Sequence, residues 1–223
     1  MAPEPPADAT PRLTATAVAV VAAGASFSLL PLAEAALAAA FAGLAVTAAA
    51  SDLARFEIPD WASALIFALG LVHAAAFAPA DGFAAGGLGA LLGMAGTSLA
   101  AFGGAIGDGL ASVVDALARA AVAGGALWAV AAGYRRLRGV DGLGFGDVKL
   151  AAALGPWLAW TDLPTALLVA VLAALAAVAV RTVRARDLAA ANVPVPLGAF
   201  LAPAGFLVFL ARAAGFPLPF FGG

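Results

Sequence analysis

The chain has 223 residues, of which 64% are hydrophobic and only 11% charged, with a net charge of −2 and no cysteine. A soluble domain carries about 25% charged residues, so a soluble fold of this length lacks the polar surface to cover itself. The weak acidic balance leaves no basic face to neutralise phosphates, which excludes a nucleic-acid partner, and the missing cysteines exclude disulfides, thiolate zinc sites and a cysteine nucleophile.

Residues 1–12, MAPEPPADATPR, read as a disordered tail rich in Pro and Ala. The uncharged stretch from Leu13 to Ala33, followed by Ala33-Glu34-Ala35, has the outline of a secretory signal, but the acidic, proline-containing leader fits an uncleaved first span better. Further apolar runs cover 35–50, 61–79, 83–107, 113–134, 150–160, 163–180 and 193–210. A bilayer core takes roughly 20 apolar residues to cross as helix. The fold class is therefore all-α: a polytopic transmembrane helix bundle of about six to seven spans. One membrane domain is expected over 13–212, with a short C-terminal tail at 213–223. Ala and Gly dominate the runs, as suits helices that approach closely in lipid. His73, the sole histidine, lies inside such a run and reads as a packing or interhelical hydrogen-bonding residue, because a metal site needs several convergent donors.

Arg12, Arg55, the cluster Arg135, Arg136, Arg138 and Lys149, and the cluster Arg181, Arg184 and Arg186 hold nine of the eleven positive charges. The positive-inside tendency assigns all four regions to the cytoplasm. The acidic loops at Glu34, Asp81, Asp108 and Asp162 fall outside. Arg55 and Arg135 share a side only if an even number of spans separates them, yet hydropathy offers three. The stretch 83–107 is the one demoted: it and its flanks hold ten glycines between Gly82 and Gly109, and each glycine costs about 1 kcal/mol relative to Ala in a helix interior. A Gly-rich re-entrant or exterior insertion is expected over 82–109.

Two aspartates remain at the cytoplasmic edge. Asp52 ends the run 35–50 in the segment SDLARFEIPD, where Pro59 fixes a turn; alone it reads as a solvated helix-end acid. Asp147 lies in GVDGLGFGDVKL, where Gly144 and Gly146 leave the backbone accessible; alone it reads as a helix N-cap after a flexible turn. The pair says more than either member, because topology puts both on one side at one depth. Two carboxyls in contact share a proton, so that one activates water while the other polarises a carbonyl. That chemistry needs no metal and no cofactor.

At these residues the chain resembles the type IV prepilin peptidases, bacterial Gly-x-Gly-Asp membrane aspartic proteases. The resemblance rests on Asp52 with Ile58-Pro59-Asp60, on Tyr134 to Gly139 through GLGFGDVKLAAALGPWLAW to Leu163-Pro164, and on Val195-Pro196-Leu197-Gly198-Ala199-Phe200-Leu201-Ala202. It implies that Asp52 and Asp147 are catalytic, with Gly144, Gly146 and Lys149 in support. It further implies an inner-membrane endopeptidase that faces the cytoplasm and removes the basic leader of prepilins or pseudopilins ahead of their apolar helix. Many members also methylate the new N-terminus and carry paired Cys-x-x-Cys motifs; with no cysteine here, peptidase activity without methylation is expected. Two readings of other classes stand beside this one. A non-catalytic membrane scaffold of the same fold would tolerate loss of either aspartate, and a small ion-coupled transporter would use the two acids as an ion path, one of them near mid-bilayer.

Overall fold

The computed structural model describes residues 10–77, 105–140, 142–186 and 195–216, and these form α-helices and connecting turns without a strand. Among the described residues seven helices follow in order: α1 Thr10–Leu29, α2 Leu32–Arg55, α3 Asp60–Ala76, α4 Ala105–Arg138, α5 Phe145–Leu154, α6 Asp162–Ala185 and α7 Gly198–Ala213. Three stretches, Leu32–Arg55, Gly109–Arg138 and Asp162–Ala185, are long and apolar enough to cross a membrane, and α3 and α7 are shorter apolar helices. The polytopic helical bundle is thus as composition required. Residues 1–9 of the expected tail lie outside the described residues, as do 217–223 at the other terminus.

Small residues set the packing of α2. Ala35, Ala42 and Ala49 form one buried row, and Ala38, Ala45 and Asp52 form a second, each member two turns from the last. Asp52 therefore continues the face that packs on α3 and α7. The apolar run 150–160 is not one helix: α5 stops at Leu154, and Gly155-Pro156 starts a set of turns, where proline has no N–H to continue the helical ladder. At ten residues α5 is about 15 Å long, half of a bilayer core, and it is enclosed by α3, α4 and α7. A Cβ on Gly155 would collide with the α4 backbone at Ala120. Arg119 completes that junction by donating to the Gly155 carbonyl at 3.1 Å while pairing with Asp115, whose other oxygen accepts the Trp160 indole N–H at 3.0 Å.

The core is aromatic. Phe41 stacks on Trp157 with centroids 4.4 Å apart and meets Phe206 and Phe209 edge-on. Trp157 also donates to the Ile66 carbonyl at 2.8 Å. His73 stacks on Trp157 and makes a 3.0 Å hydrogen bond to Glu34 across the α2–α3 interface, the interhelical role read from its isolation.

These contacts order the two ends of the bundle. Glu34 at the start of α2 meets His73 near the end of α3, and Asp162 at the start of α6 is gripped through both oxygens by Arg212 near the end of α7. At this far end the Ala75 carbonyl is 3.1 Å from where Gly109 would carry a Cβ, so α3 ends where α4 begins. Arg55, just before α3, and Arg135, near the end of α4, therefore lie at the same end of the bundle. Most of the expected insertion, 82–104, lies outside the described residues; its last part, 105–109, is the first turn of α4. The opposite end gathers the end of α2 and the starts of α5 and α7. It also holds the helix positions of Arg12, Arg55, Arg135, Arg136, Arg138, Lys149, Arg181, Arg184 and Arg186.

Candidate active site

Three helices, α2, α5 and α7, build the site at that charged end. Asp52 comes from the last turn of α2, and its Oδ2 accepts the Ala199 backbone N–H at 2.7 Å. Leu197, before α7, offers no side-chain cap. Asp52 therefore caps α7 from another helix, meeting the unpaired amides and partial positive charge of its N-terminus.

Asp147 is not the N-cap that its position suggested. Gly144 is the N-cap of α5, and Asp147 falls three residues later, with its own N–H donating to the Gly144 carbonyl at 3.1 Å. Its carboxylate reaches back to the Gly144 backbone, as the third residue of a capping box does, which aims it away from solvent and toward α7. Asp52 and Asp147 are 5% and 8% exposed. Both are buried, so Asp52 is not the solvated helix-end acid that it resembles alone.

Gly198 is where the two acids meet. A Cβ built there would lie 2.9 Å from Asp147 Oδ1 and 2.9 Å from Asp52 Oδ2, so the two oxygens are within twice that distance of each other across a bare α-carbon. Burial, then the charge of Asp52, pushes the Asp147 carboxyl up to about 6; hydrogen bonds from the Gly198 and Gly144 backbone pull the other way without cancelling this. The arrangement suits a dyad holding one proton at mildly acidic pH.

The supporting residues fall into two groups. Gly144 and Gly146 face the site: a Cβ on Gly144 would stand 3.5 Å from Asp147 Oδ2, and one on Gly146 would stand 3.4 Å from the Ile58 Cβ. Lys149 does not approach the acids. Its ammonium pairs with Asp60 Oδ1 at 2.6 Å and lies 5.1 Å from the Phe145 ring centre, tying α5 to the start of α3. Three contributors were not singled out from sequence: the bare Gly198, the Ala199 amide and Ile58, whose Cδ1 reaches the space above Gly198. Their segments had been noted only as matching blocks.

The chain matches the model of the type IV leader peptidase family over residues 39–180. A prepilin leader peptidase/N-methyltransferase of Burkholderia pseudomallei (strain 1026b) is 44% identical over 79 residues, 35% of this chain and 25% of that protein. The leader peptidase HopD of Escherichia coli is 44% identical over 96 residues, 43% of this chain and 61% of the relative. A prepilin leader peptidase/N-methyltransferase of Pseudomonas aeruginosa is 38% identical over 100 residues, 45% of this chain and 34% of the relative. The chain thus spans less than two thirds of each of these relatives, and no solved structure matches it. With a matched segment that contains both acids and most of the described bundle, this chain belongs to the type IV leader peptidase family.

Proposed function

We propose that this protein is a membrane aspartic endopeptidase that removes the basic leader of type IV prepilins or pseudopilins at the cytoplasmic face of the bacterial inner membrane, without N-methylation. The observation that carries the reading is the pair of buried carboxylates on either side of Gly198, one of them anchored by the Ala199 amide. The relatives named as prepilin leader peptidases support the substrate class. The gathering of nine positive charges at the dyad end supports a cytoplasmic orientation, and the lack of any cysteine supports the restriction to cleavage.

In this mechanism the dyad holds one proton. The ionised carboxylate takes a proton from water as it attacks the scissile carbonyl, and the protonated partner donates to the carbonyl oxygen. Asp52, held in place by the Ala199 amide, takes the ionised role. Asp147, raised to about 6 by burial and by the charge of the second acid, is suited to the donor role. On collapse of the tetrahedral intermediate the proton passes to the leaving amine.

The test is leader cleavage in cells lacking other prepilin peptidases. Asp52→Asn and Asp147→Asn are each expected to abolish cleavage while the protein still accumulates in the membrane. Full processing by either variant would refute the dyad, and no processing by the wild-type protein would favour a scaffold of the same fold.

A further inference from the structure

The dyad as described is closed. Asp52 and Asp147 are 5% and 8% exposed, yet a substrate carbonyl has to come within hydrogen-bond reach of both, about 2.6–3.2 Å. Something covering the acids has to move. Asp52, Asp147 and Gly198 all belong to helices with buried faces. The group lying over them is the Ile58 side chain, from the four-residue link between α2 and α3.

Ile58 spans the gap between two glycines on different helices. Its Cβ is 3.4 Å from where Gly146 of α5 would carry a Cβ, and its Cδ1 occupies the space a Cβ on Gly198 of α7 would need. It is an apolar side chain seated beside two acids, in a slot walled by bare backbone.

The link that carries it has the features of a hinged element. Phe56 is in the left-handed region at φ 55°, a conformation that side-chain-bearing residues adopt rarely, and Pro59 begins the next helix. Two contacts hold the segment down: Ser51 Oγ donates to the Glu57 carbonyl at 2.9 Å, and Lys149 pairs with Asp60 at 2.6 Å. The Asp60 side chain is 78% exposed, and such exposed pairs break cheaply.

We propose that Ile58 is a resident plug in the substrate slot, that residues 56–59 form a lid, and that the Lys149–Asp60 pair latches it shut. A side chain of the extended substrate takes the place of Ile58 between Gly146 and Gly198, which brings the scissile carbonyl to the dyad. The proposal rests on the peptidase reading for its catalytic consequence, but lid opening itself has a readout that needs no substrate.

Because the chain has no cysteine, Ile58→Cys provides a single label in the full-length protein in membranes. A water-soluble maleimide is expected to react with it slowly, and about fivefold faster when Lys149→Met removes the latch, the scale of one exposed ion pair. Labelling that is fast in both, or no faster without the latch, overturns the lid whatever the protein cleaves. A second arm joins Asp60→Cys and Lys149→Cys with a short, reducible bis-methanethiosulfonate bridge. Cleavage of a prepilin-like substrate is expected to stop in the bridged form and return on reduction. Cleavage at full rate while bridged overturns the requirement for opening. Ile58→Ala is expected to lower KM severalfold with kcat retained, and a raised or unchanged KM overturns the plug. If the wild-type protein cleaves no leader, the function reading fails and the labelling arm still decides the lid.

Discussion

Adding a single methyl group at Gly198 probes the centre of the site without replacing either acid. Gly198 is the first residue of α7, and its backbone is not in the left-handed region, so alanine is conformationally acceptable there. The effect of Gly198→Ala is then spatial. The new methyl would lie 2.9 Å from an oxygen of each aspartate and against Ile58 Cδ1, well inside the 3.5–4.0 Å of ordinary apolar contact. Overpacking of this kind costs about 1–3 kcal/mol. If the strain is relieved by pushing the carboxylates apart, that energy appears in the barrier, and kcat/KM falls about 5- to 150-fold. The assay is leader cleavage by purified protein in proteoliposomes, normalised to folded protein. Gly43→Ala is the control, since a Cβ on Gly43 meets nothing within 4 Å, and it is expected to cleave at the wild-type rate. A Gly198→Ala protein as active as Gly43→Ala would refute the placement of the acids on either side of this residue.

The pH dependence follows from Asp147. Its carboxyl is raised from 3.8 to about 6 by burial and by the charge of Asp52, so kcat/KM is expected to fall about tenfold per unit as pH rises past that value; a flat profile from pH 5 to 8 would remove Asp147 as proton donor. The same raised carboxyl contributes stability that is full below 3.8 and lost as pH climbs through about 6. Asp147→Asn should therefore unfold at a less pH-dependent temperature across that window, as thermal scans in detergent would show. Gly155→Ala forces α5 and α4 apart at Ala120 and is expected to lose about 1–3 kcal/mol, read as a lower melting temperature and faster proteolysis. Trp157→Ala removes the stack on Phe41 and His73 and the bond to the Ile66 carbonyl. A cost of about 3–5 kcal/mol is expected, measured by the same scans.

Much of the fold, and the pairing of the two candidate acids at one end of it, is legible in the sequence. Composition alone required a membrane bundle, because apolar segments of bilayer length leave no other stable arrangement of backbone polar groups at this charge content. Charge bias placed Asp52 and Asp147 at one end, and Arg55 and Arg135 lie at the same end of the bundle, as that bias demanded. His73 was read as interhelical from its isolation, and it bonds Glu34. The N-cap assignment of Asp147 failed because glycine at 144 takes the cap, which moves the acid into the first turn and turns it inward.

What tertiary structure alone decided is how the acids are held and covered. Asp52 is bonded by an amide 147 residues away, and backbone N–H groups leave no mark in a sequence, since every non-proline residue has one. Gly198 became central only because α2, α5 and α7 converge on its bare α-carbon, and Ile58 only because a four-residue link folds it over that point. Helix periodicity determines which face of a segment is buried. Which faces meet is settled by packing between segments far apart in the chain, and there two unremarkable acids became a buried, coupled pair.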